Sequence, residues 1–320
     1  MIQYLIKENY NITIDNIDLI DSHFGTEIFL LKSGKNKYIL KSLPVKYKDL
    51  EDEGDITDFL HKNGIPTARF LKTKNNNYAV KTNEIQFHIQ EFIEGSTFAV
   101  NSAPDWFLIK SAQTLGKIQN ILTGYKPLNR SFDDNFFQPS TIISKRDHLQ
   151  KLLETKEAKS DKTLTTELIE QIKHANKLLT FKIDPKRLTY TNSHGDYWIG
   201  QMINQNENIT VIDWSSACCL PACNEVIMSY TFADPTCKNG EIAAHKLKKY
   251  LENYSQYFSL NQYDIEIMPY VFYWRQFMTN YTPPFSSVPQ GYKDVSKLIN
   301  NVLSYLYKNA DELSSALRPI

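Results

Sequence analysis

The sequence predicts an α+β protein with two lobes, a small β-rich N-terminal lobe and a larger, mainly helical C-terminal lobe. Three observations support this prediction. Residues 1–91 consist mostly of short β-prone runs separated by turn-forming residues. Beyond residue 98, apolar residues recur mainly at helical spacing. The chain has 320 residues, of which 42% are hydrophobic, so it is long enough to bury the cores of two domains.

Strands dominate the prediction for the N-terminal lobe. A turn-forming segment, 33–36, joins two β-prone runs and predicts a hairpin. One helix is expected over 50–63, because acidic residues in its first turn suit the helix dipole, and Gly64 with Pro66 is a stop signal. The expected strands are 27–32, 37–42, 70–72, 78–80 and 85–90.

Helices dominate the prediction for the C-terminal lobe, with three short strands in its middle. We expect a lobe over 1–91, a connector over 92–98 and the second lobe over 99–320, with a ligand-binding cleft between the lobes. The expected helices are 105–122, 149–179 with a break near 160–161, 225–232, 242–257, 263–279 and 293–315. The expected strands are 188–194, 201–203 and 209–213.

Composition and charge exclude several classes of protein. Lys plus Arg equals Asp plus Glu at 36 each, so no excess of positive charge indicates binding to nucleic acid or to an anionic membrane. No run of about 18 apolar residues indicates a membrane-spanning helix. The N-terminus carries acid early and lacks the apolar run of a signal peptide. These features predict a cytoplasmic protein.

Four cysteines lie close together in the sequence, at Cys218, Cys219, Cys223 and Cys237. A structural zinc site is one interpretation, but such sites usually show paired Cys-x2-Cys units or histidine partners at helical spacing. Reduced thiols in an intracellular protein are the interpretation that the spacing favours.

Two acidic motifs indicate the chemistry. His194-Gly195-Asp196 is followed by Gln201, and Asp213 comes later in Ile212-Asp213-Trp214, so each acid ends a short strand-like segment. Phosphoryl transfer uses one carboxylate to accept the proton of the attacking hydroxyl and another to hold Mg²⁺ against the phosphates. The alternatives are a turn or N-cap aspartate at Asp196 and a strand-terminal aspartate paired to a base at Asp213.

The order of these motifs resembles the aminoglycoside phosphotransferase and choline kinase family, which has a protein-kinase-like fold. The resemblance covers roughly residues 20–280. It implies ATP and Mg²⁺ as cofactors, Asp196 as the catalytic base, and Asp213 as the principal metal ligand. Gln201 departs from the family pattern, since Asn is usual there. Its amide oxygen is also a metal ligand, but the side chain is one methylene longer.

The resemblance also implies roles for residues in the N-terminal lobe. Lys41, on a predicted strand, matches the lysine that contacts the α- and β-phosphates. Counting back from Gly64 gives Glu53 as its partner, with Glu51 and Asp52 as rivals, although acids in a first turn are common in any helix. His194 is expected to hold the catalytic loop through a hydrogen bond.

The nucleotide is expected between the lobes. Gly25 and Thr26, in the segment 22–27, are the candidates for phosphate contact, because glycine admits close approach of the backbone. Backbone groups of Glu91 and Ile93 match the family's adenine-binding hinge. The residues expected to flank the base are Ile39 and either Met202 or Ile212, with core packing as the alternative for each.

The expected partner is a small-molecule acceptor that bears an amine or a sugar. Glu225 and Asp234 are candidates to receive a cationic group. Trp198 and Trp274 are candidates to stack on the acceptor, with core packing as the alternative for Trp274.

The sequence therefore predicts an ATP- and Mg²⁺-dependent phosphotransferase that acts on a hydroxyl of a small molecule. The alternative is a catalytically inactive binding or scaffold protein with the same fold, suggested by Gln201. A protein kinase is disfavoured, because no Asp-Phe-Gly or Ala-Pro-Glu motif is present. The identity of the acceptor and the oligomeric state stay open.

Overall fold

The N-terminal lobe is built on a five-stranded antiparallel sheet with the strand order β1-β2-β3-β5-β4. A computed structural model of the chain describes residues 2–23, 25–45, 50–279 and 290–318. The strands are β1 Asn16–His23, β2 Thr26–Ser33, β3 Asn36–Pro44, β4 Ala79–Lys81 and β5 Ile85–Glu91. Two helices accompany them, α1 Ile2–Tyr10 and α2 Glu51–Lys62.

Helix α1 covers one part of this sheet, and the sequence analysis did not predict it. Its apolar residues at 2, 5, 6 and 10 lie on one face, because the spacing follows the helical repeat. The Tyr10 hydroxyl donates to the carbonyl oxygen of Tyr78 at 2.8 Å, which fixes the end of the helix. The buried cluster between helix and sheet contains Ile6, Tyr10, Leu31, Leu40, Val80, Phe87 and Ile89.

The C-terminal lobe is mainly helical and holds two small antiparallel sheets. Its helices are α3 Asp105–Leu122, α4 Pro139–Leu153, α5 Lys156–Ser160, α6 Lys162–Leu178, α7 Ala222–Ala233, α8 Ala244–Ser255, α9 Gln262–Thr279 and α10 Gln290–Leu317. Its strands are β6 Tyr190–Ser193, β7 Met202–Gln205, β8 Asn208–Val211 and β9 Cys218–Pro221, paired as β6–β9 and β7–β8.

Helix α7 is the centre of this lobe. All twelve of its residues are buried, and it packs against α3, α8 and α9 and against β6 and β9. A helix that is enclosed on every side makes a rigid platform, because protein interiors are close-packed. Strand β6 and the segment 199–201, on either side of Asp196, pack against this platform.

The two-lobed α+β prediction is confirmed, with corrections to individual elements. The helical region expected over 149–179, with a break near 160–161, is three helices, α4 to α6, and the expected break lies between α5 and α6. Asp161 separates the last two, because its carboxylate accepts from the N–H groups of Thr163 and Leu164 and begins a new helix. The strand expected over 70–72 is only a bridge from Phe70 to Gln90. Strand β1 was not predicted, since its sequence is rich in charged and polar residues.

The described part of the chain holds no helix that is both long and apolar enough to cross a membrane. The four cysteines are free. Within the ranges given above, no group of three or more His, Cys, Asp or Glu side chains is placed to hold a metal ion.

We predict that Ile6→Ala destabilises the N-terminal lobe by about 2–5 kcal/mol, because the side chain is fully buried between α1 and the sheet. Equilibrium urea unfolding measures this free energy. Tyr4→Ala on the same helix is the control, since Tyr4 is 68% exposed, and should change the value by less than about 0.5 kcal/mol. Equal effects of the two substitutions would show that α1 does not pack as described.

Candidate active site

A cavity of about 780 Å³ lies between the two lobes and receives side chains from both. Ten of the residues predicted from the sequence line it. They are Ile39, Lys41, Glu53, Glu91, Ile93, Asp196, Trp198, Gln201, Ile212 and Asp213. The cavity therefore brings together residues that are far apart in the chain.

Lys41 connects the lobes. It lies on β3 with its side chain only 11% exposed, and its Nζ is 2.7 Å from Oδ1 of Asp213 and 3.7 Å from Oε2 of Glu53. Burial alone would lower the pKa of Lys41, but the charges of Glu53 and Asp213 and their hydrogen bonds raise it above the usual value. The ammonium group is therefore protonated, and it holds a carboxylate from each lobe.

Glu53 is the acid of α2 that faces Lys41, and its two rivals are used elsewhere. The carboxylate of Glu51 accepts from the backbone N–H groups of Tyr78 and Ala79, at 2.8 and 2.7 Å. Asp52 is exposed and lies 3.3 Å from the Nζ of Lys126. Of the three acids in the first turn of α2, Glu53 therefore faces the site, Glu51 binds backbone N–H groups at the start of β4, and Asp52 lies at the surface.

Asp213 follows β8 and is held in a left-handed backbone conformation, with φ at 57°. Burial alone would raise its pKa, but the charge and hydrogen bond of Lys41, the Ser215 hydroxyl and His194 lower the pKa of Asp213 well below its usual range. The Ser215 hydroxyl donates to Oδ1 at 2.7 Å. Asp213 is therefore a fixed and fully ionised carboxylate.

His194 joins the two motifs. Its Nδ1 accepts from the backbone N–H of Asp196 at 3.3 Å, so its Nε2 carries the proton and donates to the carbonyl of Ile212 at 2.9 Å. The backbone N–H of Ile212 in turn donates to the carbonyl of Gln201 at 3.0 Å. These bonds hold the segments of Asp196, Gln201 and Asp213 together at the wall of the cavity.

Gly195 is required by the shape of this loop. Its φ is +83°, and a Cβ built on it would lie 1.9 Å from the carbonyl oxygen of Ser216. Any other residue would meet both left-handed strain and a backbone clash. The glycine therefore keeps Asp196 close to the segment that follows Asp213.

Gln201 and Asp213 offer only oxygen ligands to a cation. The Nε2 of Gln201 donates to Oδ2 of Asp196 at 3.4 Å, so its Oε1 is the amide atom left for a metal. Carboxylate and amide oxygens suit a hard divalent cation such as Mg²⁺, which is held in nucleotide sites by one or two protein carboxylates plus phosphates. The donor set therefore fits Mg²⁺.

The cavity also has an apolar part, here called the apolar slot. Its walls include Ile28 and Ile39 from the N-terminal lobe and Ile203 and Ile212 from the C-terminal lobe. Met202, one of the two residues predicted to flank a base, is buried in the core instead. Since neighbouring strand residues face opposite ways, Ile203 takes that place.

Glu91 and Ile93 differ in whether their backbone N–H groups are hydrogen-bonded within the protein. The N–H of Glu91 donates to the carbonyl of Arg69 at 2.9 Å, and its carboxylate pairs with the Arg69 guanidinium. The N–H of Ile93 has no backbone acceptor within the described residues. The N–H of Ile93 is therefore available to a ligand that binds at the connector.

Gly25 and Thr26 lie at the turn between β1 and β2 and are not among the residues that line the cavity. Ile20 and Asp21 of β1 line it instead. No contact in the structure tests whether Gly25 and Thr26 bind phosphate, so their role stays a prediction. Phe24, in the same segment, lies outside the described residues.

Three of the predicted acceptor residues are buried away from the cavity, so the structure contradicts their proposed role. Glu225 accepts from the Ser193 hydroxyl and from the Tyr197 N–H, and burial raises the pKa of this carboxyl. Asp234 begins a short helix by accepting from the Thr236 N–H at 2.7 Å. Trp274 donates to the carbonyl of Phe136 at 2.9 Å inside the core. Trp198 alone of the four predicted acceptor residues lines the cavity.

Arg275 is the residue near Asp196 that the sequence analysis missed. It lies on α9 within a run of aromatic residues and lines a second, smaller cavity together with Asp196 and Trp198. The one sequence feature that could have indicated its role is that it is a single cation within an aromatic run. The run itself predicted only a helix packed in the core.

The β-rich lobe, the helical lobe and the interlobe cavity define a protein-kinase-like fold. The family model of the phosphotransferase enzyme family, APH, matches residues 17–257. The chain therefore belongs to this family and is a small-molecule phosphotransferase. No curated protein sequence matches the chain.

Solved structures are similar over nearly the whole chain. An amicoumacin kinase in complex with AMP-PNP and Ca²⁺ has 11% identity and a TM-score of 0.65, covering 98% of this chain and 92% of that one. An AMP-bound spectinomycin phosphotransferase has 15% identity and a TM-score of 0.64, covering 99% and 98%. A choline kinase from Cryptosporidium parvum has 15% identity and a TM-score of 0.56, covering 95% and 91%. At these identities the likeness establishes the fold.

We predict that Gly195→Ala abolishes phosphotransfer and lowers the melting temperature, because the added Cβ displaces the loop that carries Asp196. Gly64→Ala is the matched control, since Gly64 has φ +84° but open space around it. It should cost only the left-handed strain of about 1–2 kcal/mol and leave turnover intact. Thermal melting and a turnover assay separate the two, and an active Gly195→Ala protein would contradict the description of the loop.

Proposed function

We propose that the protein transfers the terminal phosphate of ATP to a hydroxyl of a small molecule and depends on Mg²⁺. The observation that carries this proposal is the meeting of Asp196, Asp213 and Lys41 in one cavity between the lobes. A base, a metal ligand and a phosphate-binding cation are the parts that phosphoryl transfer needs, and none of them forms a covalent intermediate.

Lys41 is the residue proposed to bind the phosphates. A protonated ammonium at the wall of the cavity attracts the polyphosphate, and Glu53 fixes its direction from behind. The Glu53 side chain is only 3% exposed, so solvent does not screen this pair strongly. Lys41 can therefore turn towards a phosphate while one carboxylate still supports it.

Asp213 and Gln201 are the residues proposed to hold Mg²⁺. Bound there, the ion would neutralise charge on the phosphates. The pKa of Asp213 is held low by Lys41 and Ser215, so the carboxylate is ionised without the ion. The protein thus has the ligand ready before nucleotide and metal bind.

Asp196 is proposed to orient the acceptor hydroxyl and to take its proton. The acceptor oxygen forms a bond to the terminal phosphorus as the bond from that phosphorus to ADP breaks. The Gln201 amide, 3.4 Å from Oδ2, and the loop contacts of His194 hold the Asp196 carboxylate in position. Positioning and charge neutralisation supply the rate gain.

The apolar slot is proposed to take the adenine ring. Its isoleucine walls suit a flat ring, and the Ile93 N–H at the connector suits an acceptor nitrogen of the base. The nucleotides bound to the similar amicoumacin kinase and spectinomycin phosphotransferase, AMP-PNP and AMP, support the choice of an adenine nucleotide. The acceptor bearing an amine or a sugar has less support, because Glu225 and Asp234 are buried.

Thermal melting tests the nucleotide and metal proposals. ATP with Mg²⁺ should raise the melting temperature of the wild-type protein, and ATP alone should raise it much less. At a ligand concentration about 100 times the dissociation constant, the expected stabilisation is about 2.7 kcal/mol. Asp213→Asn should lose the metal-dependent part, because the amide keeps the volume but not the charge.

The matched control is Asp147→Asn, which removes an exposed acid that lies beside Arg146. It should melt and respond to ATP and Mg²⁺ as the wild-type protein does. A metal-dependent shift that persists in Asp213→Asn would refute the metal assignment.

Gln201 is the specific observation behind the alternative, an inactive binding protein. We predict that Gln201→Asn keeps or raises turnover, because Asn also offers an amide oxygen and is usual at this position in the family. A coupled assay of ATP consumption with an acceptor panel measures this. Complete loss of turnover in Gln201→Asn would mean that the longer side chain is fitted to a different geometry.

A further inference from the structure

A second cavity, of about 220 Å³, adjoins Asp196 on the side of α7, α9 and α10. Its apolar wall includes Trp198, Met228, Phe232, Val295 and Ile299. Since Asp196 and Trp198 line both cavities, this is where an acceptor can reach the catalytic carboxylate. The volume is below the range of about 300–1,000 Å³ that drug-sized ligands occupy.

Arg275 is the cation of this second cavity. Its Nη1 contacts the sulfur of Met228, and its guanidinium carbon lies 5.5 Å from the centre of the Phe132 ring. Its Nε is buried without a hydrogen-bond partner, and no carboxylate within the described residues comes within 4.0 Å to form an ion pair. The residue as a whole is partly buried, and a guanidinium without an ion-pair partner gains a charge-assisted hydrogen bond from an anion, so an anionic ligand completes the site.

The acids near Arg275 do not form an ion pair with its guanidinium. Burial lowers the pKa of Arg275, while Asp196, Glu225 and Cys218 act at longer range to raise it. Glu225 already accepts from the Ser193 hydroxyl and the Tyr197 N–H. Arginine stays protonated at neutral pH. Arg275 is therefore a charged donor, with its fork of N–H groups beside the proposed acceptor position.

We propose that the phosphate acceptor carries a carboxylate, which Arg275 binds while Asp196 faces the acceptor hydroxyl. The acceptor is then a small hydroxylated carboxylic acid. This inference rests on the proposed function and narrows its substrate class.

Geometry and charge both favour a carboxylate. A guanidinium matches the two oxygens of a carboxylate in a bidentate pair. The negative charge of Asp196 repels an anionic acceptor. Such an acceptor therefore needs a cation in the same cavity, and Arg275 supplies it. A polycationic acceptor would instead meet Arg275, with Asp196 as the one acid among the described lining residues.

Matched ligand pairs test the inference. The full-length protein with AMP-PNP and Mg²⁺ is titrated with glycerate, serine and threonine, each beside its amide, and with ethanolamine and kanamycin. Calorimetry measures the dissociation constants. The carboxylates should bind roughly tenfold to hundredfold more tightly than their amides, as expected for a charge-assisted hydrogen-bonded pair.

Substitutions test whether Arg275 causes the preference for a carboxylate over its amide. Arg275→Gln should remove the preference for carboxylate over amide, and Arg275→Lys should retain part of it because the charge remains. Arg318→Gln is the matched control, since Arg318 pairs with Glu266 at the surface, and should keep the wild-type preference. Because the ratio between acid and amide is measured on one protein, a general loss of stability does not change it.

The outcomes separate this inference from the proposed function. If no carboxylate is preferred over its amide, or if ethanolamine or kanamycin binds more tightly, the acceptor class is wrong. If at the same time ATP with Mg²⁺ still stabilises the protein, the proposed function stands. If ATP with Mg²⁺ gives no stabilisation, the proposed function fails and the acceptor inference fails with it.

Discussion

The ion pair between Lys41 and Asp213 is the interaction on which the arrangement of the site depends. Lys41 on β3 and Asp213 after β8 lie 172 residues apart in the chain and meet at 2.7 Å, with Glu53 as the second acid on the same ammonium. Removing Lys41 would leave the buried carboxylate of Glu53 and the carboxylate of Asp213 without their shared cation, which is unfavourable. The pair therefore fixes how the sheet of one lobe faces the motif loops of the other. It also leaves a cation and an ionised carboxylate at the wall of the cavity where phosphates would bind.

The C-terminal lobe holds its half of this arrangement through a buried platform. Helix α7 is enclosed on all sides, and its Glu225 supports the loop through Ser193 and Tyr197. His194 then ties that loop to the segment before Asp213. Polar groups buried in this way must be fully hydrogen-bonded, and a satisfied network makes the loop rigid. Rigidity matters here because phosphoryl transfer depends on positioning.

The sequence predicted the site residues that belong to local motifs. It did not predict which side chains are buried by tertiary packing and which line the cavity. Lys41 and Asp213 each follow a short apolar run, and Asp196 belongs to the His-Gly-Asp motif, so local patterns were enough to predict them. Glu225, Asp234 and Trp274 were misplaced, because one chain does not reveal which acids and aromatic rings of a helix are enclosed by other helices. Helix α1 and strand β1 were missed, since short elements depend on tertiary packing rather than on propensity. Arg275 gave no local pattern and became visible only beside Asp196 in space.

The central claim is that the two carboxylates and Lys41 converge on the terminal phosphate of a nucleotide. A crystal structure of the protein with AMP-PNP and Mg²⁺ tests it most directly. We expect the phosphates beside Lys41, the metal between them and the oxygens of Asp213 and Gln201, and Asp196 facing the terminal phosphorus. A nucleotide bound outside the interlobe cavity, or phosphates that contact neither Lys41 nor a metal on Asp213, would contradict the account.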